Sequence, residues 1–150
     1  MWTDAVLAYL HFAAIFALIW FLAKEWTLLK SGAAAIDLDR LARADAGFGI
    51  SAGLVFAAGA ARAVFGLKGW LFYAHNPAFH AKIGLFVLVG LISIAPTRMF
   101  LRWRKARRHD AAFRVSEQDW RSARRWLMVE LHLVALIPLV AVIMARGLHF

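Results

Sequence analysis

Four long apolar runs constrain this chain more than any other feature of its sequence. Each is close to the roughly 20 residues that a helix needs to cross the hydrocarbon core of a bilayer. They cover about residues 5–23, 48–67, 79–97 and 126–145. A soluble protein of 150 residues could not cover four such helices. The sequence therefore predicts an all-α fold, an integral membrane four-helix bundle, that forms a single domain over the whole chain.

The distribution of cations predicts how the bundle is oriented. Lys and Arg number 18 against 9 Asp and Glu, and fourteen of the 18 fall in segments 24–46 and 98–125, which connect predicted spans. Loops rich in Lys and Arg stay in the cytoplasm, so both connections are expected there, with both termini outside (N-out/C-out). The basic loop 98–125 is interpreted as a topology signal that also lies on anionic lipid. We expect a multi-pass protein of the bacterial inner membrane.

Ionisable residues inside the spans are candidates for a functional site, because such residues are costly in lipid. The candidates are His11, Arg62, His80, Lys82, Glu130 and His132. At about 1.5 Å per residue, the first four come from three different helices and share the outer leaflet. His132 is expected deeper in the membrane, and Glu130 nearer the cytoplasmic side.

The combination of imidazoles and cations beneath one surface favours a b-type haem. Haem iron takes imidazole ligands, and the two propionates need cations or water at an interface. His11 and His80 are the first-choice axial ligands to the haem iron, with His132 as the third candidate. Arg62 and Lys82 would hold propionates or an anionic substrate, together with Lys68. Each histidine also has a structural interpretation, as a polar contact between helices or a solvated side chain.

Two further features bear on this hypothesis. The chain has no cysteine, which excludes disulfides, thiolate metal sites, iron–sulfur clusters and thioether-linked haem. The second span carries small residues four apart, at Gly49, Gly53 and Ala57. Such a face admits a flat ring, although it is also typical of ordinary helix packing in membranes.

Nearly the full length of the chain resembles a bacterial family of four-helix membrane proteins known as a domain of unknown function. The resemblance is carried by stretches such as YLHF at residues 9–12, GISAGLVFAAGAAR at 49–62 and VELHL at 129–133. More distantly, a histidine in the first span, a Gly-rich second span, and GW followed by His80-Ala81-Lys82 look like HemJ-type protoporphyrinogen oxidases and the membrane part of CopD-type proteins. The HemJ resemblance implies b-haem and oxidation of a porphyrinogen, with His11 matching the first-span histidine. The basic loop before the fourth span and the VELHL histidine depart from that pattern.

The leading functional hypothesis is b-haem binding with electron transfer near the outer leaflet. Quinol or a porphyrinogen would be the electron donor, so membrane oxidoreductase activity is an expectation. The alternatives are a non-redox accessory or structural subunit and a small ion- or proton-coupled transporter that uses Arg62, Lys82 and Glu130. Expected partners are the lipid bilayer, a quinone or porphyrin, and further copies of the chain in a homo-oligomer. Nucleic acid is not expected, because a chain that is 63% hydrophobic spends its length on apolar spans.

Overall fold

The computed structural model describes residues 2–67 and 69–146, and these form five helices. In chain order the helices are α1 (Trp2–Lys30), α2 (Leu38–Phe65), α3 (Gly69–Ala74), α4 (Pro77–His109) and α5 (Glu117–Ala145). The four helices other than α3 are long and apolar enough to cross a membrane. The predicted all-α four-helix membrane bundle is thus confirmed. The residues that the structure describes contain no strand.

The helices are longer than the predicted spans, and this corrects the interpretation of segment 98–125 as a loop. α4 continues to His109 and α5 begins at Glu117, so only residues 110–116 form an irregular connection. Most of the basic segment is therefore helical. Arg and Lys are good helix formers, and a helix that extends beyond the bilayer places their charges outside the hydrocarbon core. The second predicted span, 48–67, runs two residues past the end of α2 at Phe65. Lys68 lies outside the described residues.

Side-chain caps fix where three of the helices begin. Asp37 accepts a hydrogen bond from the Arg40 amide (2.9 Å) at the start of α2. Asn76 accepts from the Ala78 and Phe79 amides (3.0 and 3.3 Å) at the start of α4. Ser116 accepts a hydrogen bond from the Asp119 amide (3.1 Å) at the start of α5. Each cap satisfies backbone amides that the first helical turn leaves unpaired.

The antiparallel bundle has two unlike ends. Both irregular connections between long helices, 31–37 and 110–116, lie at one end, which we call the basic end. The start of α1, the short helix α3 and the last turn of α5 lie at the opposite end. Helices are tied together at the basic end, where Trp120 Nε1 donates to the Leu29 carbonyl (2.8 Å) and Arg104 Nε donates to Asp39 (2.7 Å).

The tightest packing lies in the half of the bundle nearer the basic end. Side chains that are large and less than 2% exposed all fall in that half: Trp103, Phe100, Leu22, Leu29, Leu41, Leu127, Glu25, Glu130 and Pro96. The opposite half has smaller buried residues, such as Ala63 and Ala78. Large apolar side chains such as Phe16 and Leu54 face outward, as expected where lipid rather than protein covers the helix. The half nearer the basic end therefore forms the closed core of the protein.

Candidate functional site

The face of α1 that points into the bundle, which we call its inner seam, carries two ionisable side chains, His11 and Glu25, among apolar ones. The buried residues of α1 recur every three or four positions, as Ala14, Leu18, Leu22, Glu25 and Leu29. This spacing keeps them on one face of the helix. His11 extends the same face by three residues toward the opposite end. His11 and Glu25 are thus 14 residues, or about 21 Å, apart on one seam.

His11 is held against α2 by a hydrogen bond to the backbone. Its Nδ1 lies 3.1 Å from the Val55 carbonyl oxygen. A carbonyl only accepts, so Nδ1 carries the proton in this bond and Nε2 of the neutral ring keeps its lone pair. Gly59, one turn further along α2, makes room for the ring. A Cβ added there would come within 3.1 Å of His11 Cε1.

Two cations join His11 from separate helices. Arg62 of α2 and Lys82 of α4 are each close enough for their charges to act on His11 and on one another. All three side chains are half-buried. Arg62 Nε is a buried atom without a hydrogen-bond partner among the described residues. Lys82 Nζ lies over the Phe79 ring, 5.5 Å from its centroid. We call His11, Arg62 and Lys82 the imidazole–cation cluster.

The other predicted ligands occupy different surroundings. His80 is exposed and its Nε2 donates to the Ala74 carbonyl (2.8 Å). It stands two positions before Lys82, on the other side of α4, as the helical period requires. His132 is also exposed, and its Nδ1 donates to the Met128 carbonyl (2.7 Å) on its own helix. The structure thus gathers His11, Arg62 and Lys82 but turns His80 and His132 outward, and their roles as axial ligands stay predictions.

The three small residues of the predicted face on α2 lie in different surroundings, and Gly49 lines an apolar cavity between the long helices. Gly53 and Ala57 are exposed, and a Cβ added at Gly53 would meet nothing within 4 Å. The inner face of α2 instead follows Asp45, Phe48, Val55 and Gly59. Beside His11, the close approach that favours a glycine is at Gly59.

A second group of ionisable residues lies in the closed half of the bundle. Glu25 of α1, Asp45 of α2 and Glu130 of α5 are 1%, 7% and 1% exposed, and they are close enough to act on one another electrostatically. Thr97 of α4 donates its hydroxyl to Asp45 Oδ1 at 2.7 Å. All four long helices therefore contribute to what we call the carboxyl cluster.

Sequence reasoning found only one of these three acids. Glu130 stood among the candidates, whereas Glu25 and Asp45 fell just outside the predicted spans 5–23 and 48–67. The signal that could have found Glu25 was the spacing of three and four residues that links it to Leu18 and Leu22. An acid that continues the three- and four-residue spacing of the buried apolar residues is expected to face the interior, even when it lies beyond the predicted end of the span.

An apolar cavity of about 240 Å³ lies between the two clusters. It is lined by all four long helices, with Leu18, Phe48, Val89 and Val134 among its walls. Leu18 lies about halfway along α1 between His11 and Glu25, so the cavity separates the half-buried cations from the buried acids. The chain combines an open, cationic half and a closed, acidic half.

Four apolar helices that enclose buried ionisable side chains define a multi-pass helical membrane protein with a candidate site in its interior. Residues 3–149 match the family model described as "Predicted membrane protein (DUF2214)", and the chain belongs to this family. No curated protein and no solved structure matches the chain.

Proposed function

We propose that the protein binds a b-type haem through the imidazole–cation cluster and transfers electrons in the outer half of the bacterial inner membrane. The observation that carries this proposal is the state of His11. Its Nδ1–H is engaged by the Val55 carbonyl at 3.1 Å, which fixes the tautomer and leaves the Nε2 lone pair free. Histidines that bind a metal typically donate their other ring N–H to a carbonyl or carboxylate in this way.

The charges around His11 support the same proposal. Haem carries two propionates, and Arg62 and Lys82 are half-buried cations on two other faces of the site. No salt bridge joins either of them to an acid among the described residues. An anionic group between these cations would offset the cost of holding two positive charges in an apolar span. The propionates of a haem are one such group.

The donor set is compatible with a haem whose iron would be held by His11. His80 and His132 are the other candidate ligands, and each would have to give up its backbone hydrogen bond and turn toward the interior. A bound b-type haem would supply one-electron transfer. The residues of the chain would hold the iron through His11 and the propionates through Arg62 and Lys82. The resemblance to HemJ-type and CopD-type proteins is part of the proposal, with quinol or a porphyrinogen as the class of electron donor.

The test is the visible spectrum of the protein purified in detergent from haem-replete cells. We expect a Soret band in the oxidised protein and sharp visible bands after reduction with dithionite. His11→Ala should lose most of the haem, whereas His75→Ala, an exposed histidine bonded to the Leu71 carbonyl of its own turn, should keep it. His80→Ala and His132→Ala then identify the second ligand, if the iron has one.

Two results would count against the proposal. A colourless wild-type preparation would favour an accessory subunit or an ion- or proton-coupled transporter. Full haem content in folded His11→Ala would remove His11 from the ligand set. Folding is checked for each variant by the elution volume in size-exclusion chromatography and by far-ultraviolet circular dichroism.

A further inference from the structure

The carboxyl cluster contains buried carboxyl oxygens that lack hydrogen-bond donors, and the haem proposal assigns them no role. Glu25 and Glu130 are each 1% exposed, and in each the Oε1 atom has no hydrogen-bond partner among the described residues. Asp45, the third acid, has Thr97 as its hydroxyl donor. Two buried carboxyl oxygens on different helices are therefore without a donor among the described residues. Such oxygens need a proton or a cation.

The cations packed nearby are engaged with aromatic rings. Arg124 of α5 lies over Trp26 and Trp120, 5.3 and 4.8 Å from the ring centroids. Lys24 of α1 lies over Trp20 at 4.6 Å. On α2 and α4 the neighbouring Arg43 and Arg98 are exposed. No described salt bridge joins Glu25, Asp45 or Glu130 to any of these cations. Three ionised carboxylates in this space would repel one another without compensation.

The geometry favours a proton over a metal ion as the neutralising group. The carboxyl groups interact through space, but no set of three acidic or histidine side chains among the described residues is arranged to hold a metal ion. A proton needs only one oxygen. Glu25 lies five residues before the end of α1 at Lys30, or about 8 Å from the basic end. Water at that end is the nearest source of protons along the helix.

We propose that Glu25 is a proton-exchanging group. It takes a proton from water at the basic end and returns it there. Ionisable residues in this position are the parts from which proton relays in membrane proteins are built. The site is independent of haem, and it can be measured in protein that contains none.

The experiment is infrared difference spectroscopy of the full-length protein reconstituted in lipid at neutral pH. The carbonyl stretch of protonated carboxyl groups should be present in the wild type and should shift when the buffer is exchanged for D₂O. Glu25→Gln should remove part of that band. The matched control is Glu117→Gln, which changes an exposed glutamate paired with Arg121 at 3.8 Å and should leave the band unchanged.

Three outcomes would overturn the proposal. A wild-type spectrum without the protonated-carboxyl band would show that the acids are ionised. A band that does not shift in D₂O would show a buried acid that exchanges no proton. Loss of the band on addition of Na⁺ at constant pH would assign the site to a metal cation instead. The assignment to Glu25 itself depends on the variants. A band of full intensity in folded Glu25→Gln would place the proton on Asp45 or Glu130, and so would a band of unchanged frequency in Glu25→Asp, which is used if Glu25→Gln does not fold.

Discussion

The two halves of the bundle differ in how closely they are packed and in the charge of their ionisable groups, although the same four helices form both. In the half nearer the basic end, large side chains such as Phe100 and Trp103 are 0% and 1% exposed, and the ionisable groups between the helices are acids. In the opposite half the interior is lined by smaller residues, and the ionisable groups are His11, Arg62 and Lys82. One half is closed and acidic, and the other is more open and cationic.

The difference teaches which half can accept a bound group. Close packing leaves little space, and a charge buried there must be neutralised within the core. Half-buried cations near a membrane surface can reach head groups, water or an anionic ligand. The open half is therefore suited to binding a molecule, whereas the closed half is suited to holding the bundle together and to carrying a proton.

The largest loss of stability is expected when a large side chain is removed from the closed half. Phe100→Ala should lower the free energy of unfolding by about 3–5 kcal/mol, because it removes a fully buried ring and leaves a cavity. Phe16→Ala, at a ring that is 71% exposed, should have a much smaller effect. The measurement is unfolding by SDS in mixed micelles. Equal losses in the two variants would mean that Phe100 does not belong to a closely packed core.

The next effect tests the contact between Gly59 and His11 in the open half. Gly59→Ala places a methyl group about 3.1 Å from His11 Cε1, so the ring must shift and its hydrogen bond to Val55 must weaken. Haem affinity should fall about 10-fold or more, as it does when the orientation of a metal ligand is lost. Gly53→Ala on the same helix meets nothing within 4 Å and is the control.

This variant also has a readout that does not depend on haem. The Nδ1–H proton of His11 should change its nitrogen-correlated resonance in Gly59→Ala and keep it in Gly53→Ala. An unchanged resonance in both variants would show that the contact between Gly59 and His11 does not position the ring.

A smaller effect is expected from the hydrogen bond between Thr97 and Asp45. Thr97→Val keeps the shape of the side chain but removes the donor to a buried carboxyl oxygen, at a cost of about 1 kcal/mol in unfolding free energy. Ser93→Ala, whose hydroxyl bonds the Gly90 carbonyl of its own helix, should change stability less. A larger loss in Ser93→Ala would show that the tie between α2 and α4 does not stabilise the closed half.

The smallest effect is expected at the surface of the basic end. Arg104→Gln removes an ion pair of 2.7 Å with Asp39, but the Asp39 side chain is 55% exposed, and water screens the interaction. The unfolding free energy should fall by less than in any of the variants above, and the difference should shrink in high salt. A loss of unfolding free energy that persists in high salt would mean that this ion pair is shielded from water and is part of the core.

Much of the architecture could be predicted from the sequence. The apolar runs correctly predicted four helices long enough to cross a membrane. Residues 98–109 were wrongly assigned to a loop, because a run of cations marks the end of the apolar stretch but does not end a helix. Glu25 and Asp45 were missed for the same reason, since hydropathy locates the membrane boundary and not the end of the buried seam.

The residue pattern thus settles how many helices cross the membrane and which residues of a single helix share a face, because hydrophobic length and a period of 3.6 residues are local properties. It does not settle which faces meet. That depends on how each helix is rotated about its axis by packing against its neighbours. This rotation brings Arg62 and Lys82 to His11 and turns His80 and His132 outward. It also joins Glu25, Asp45 and Glu130, which lie far apart in the chain, in one buried space.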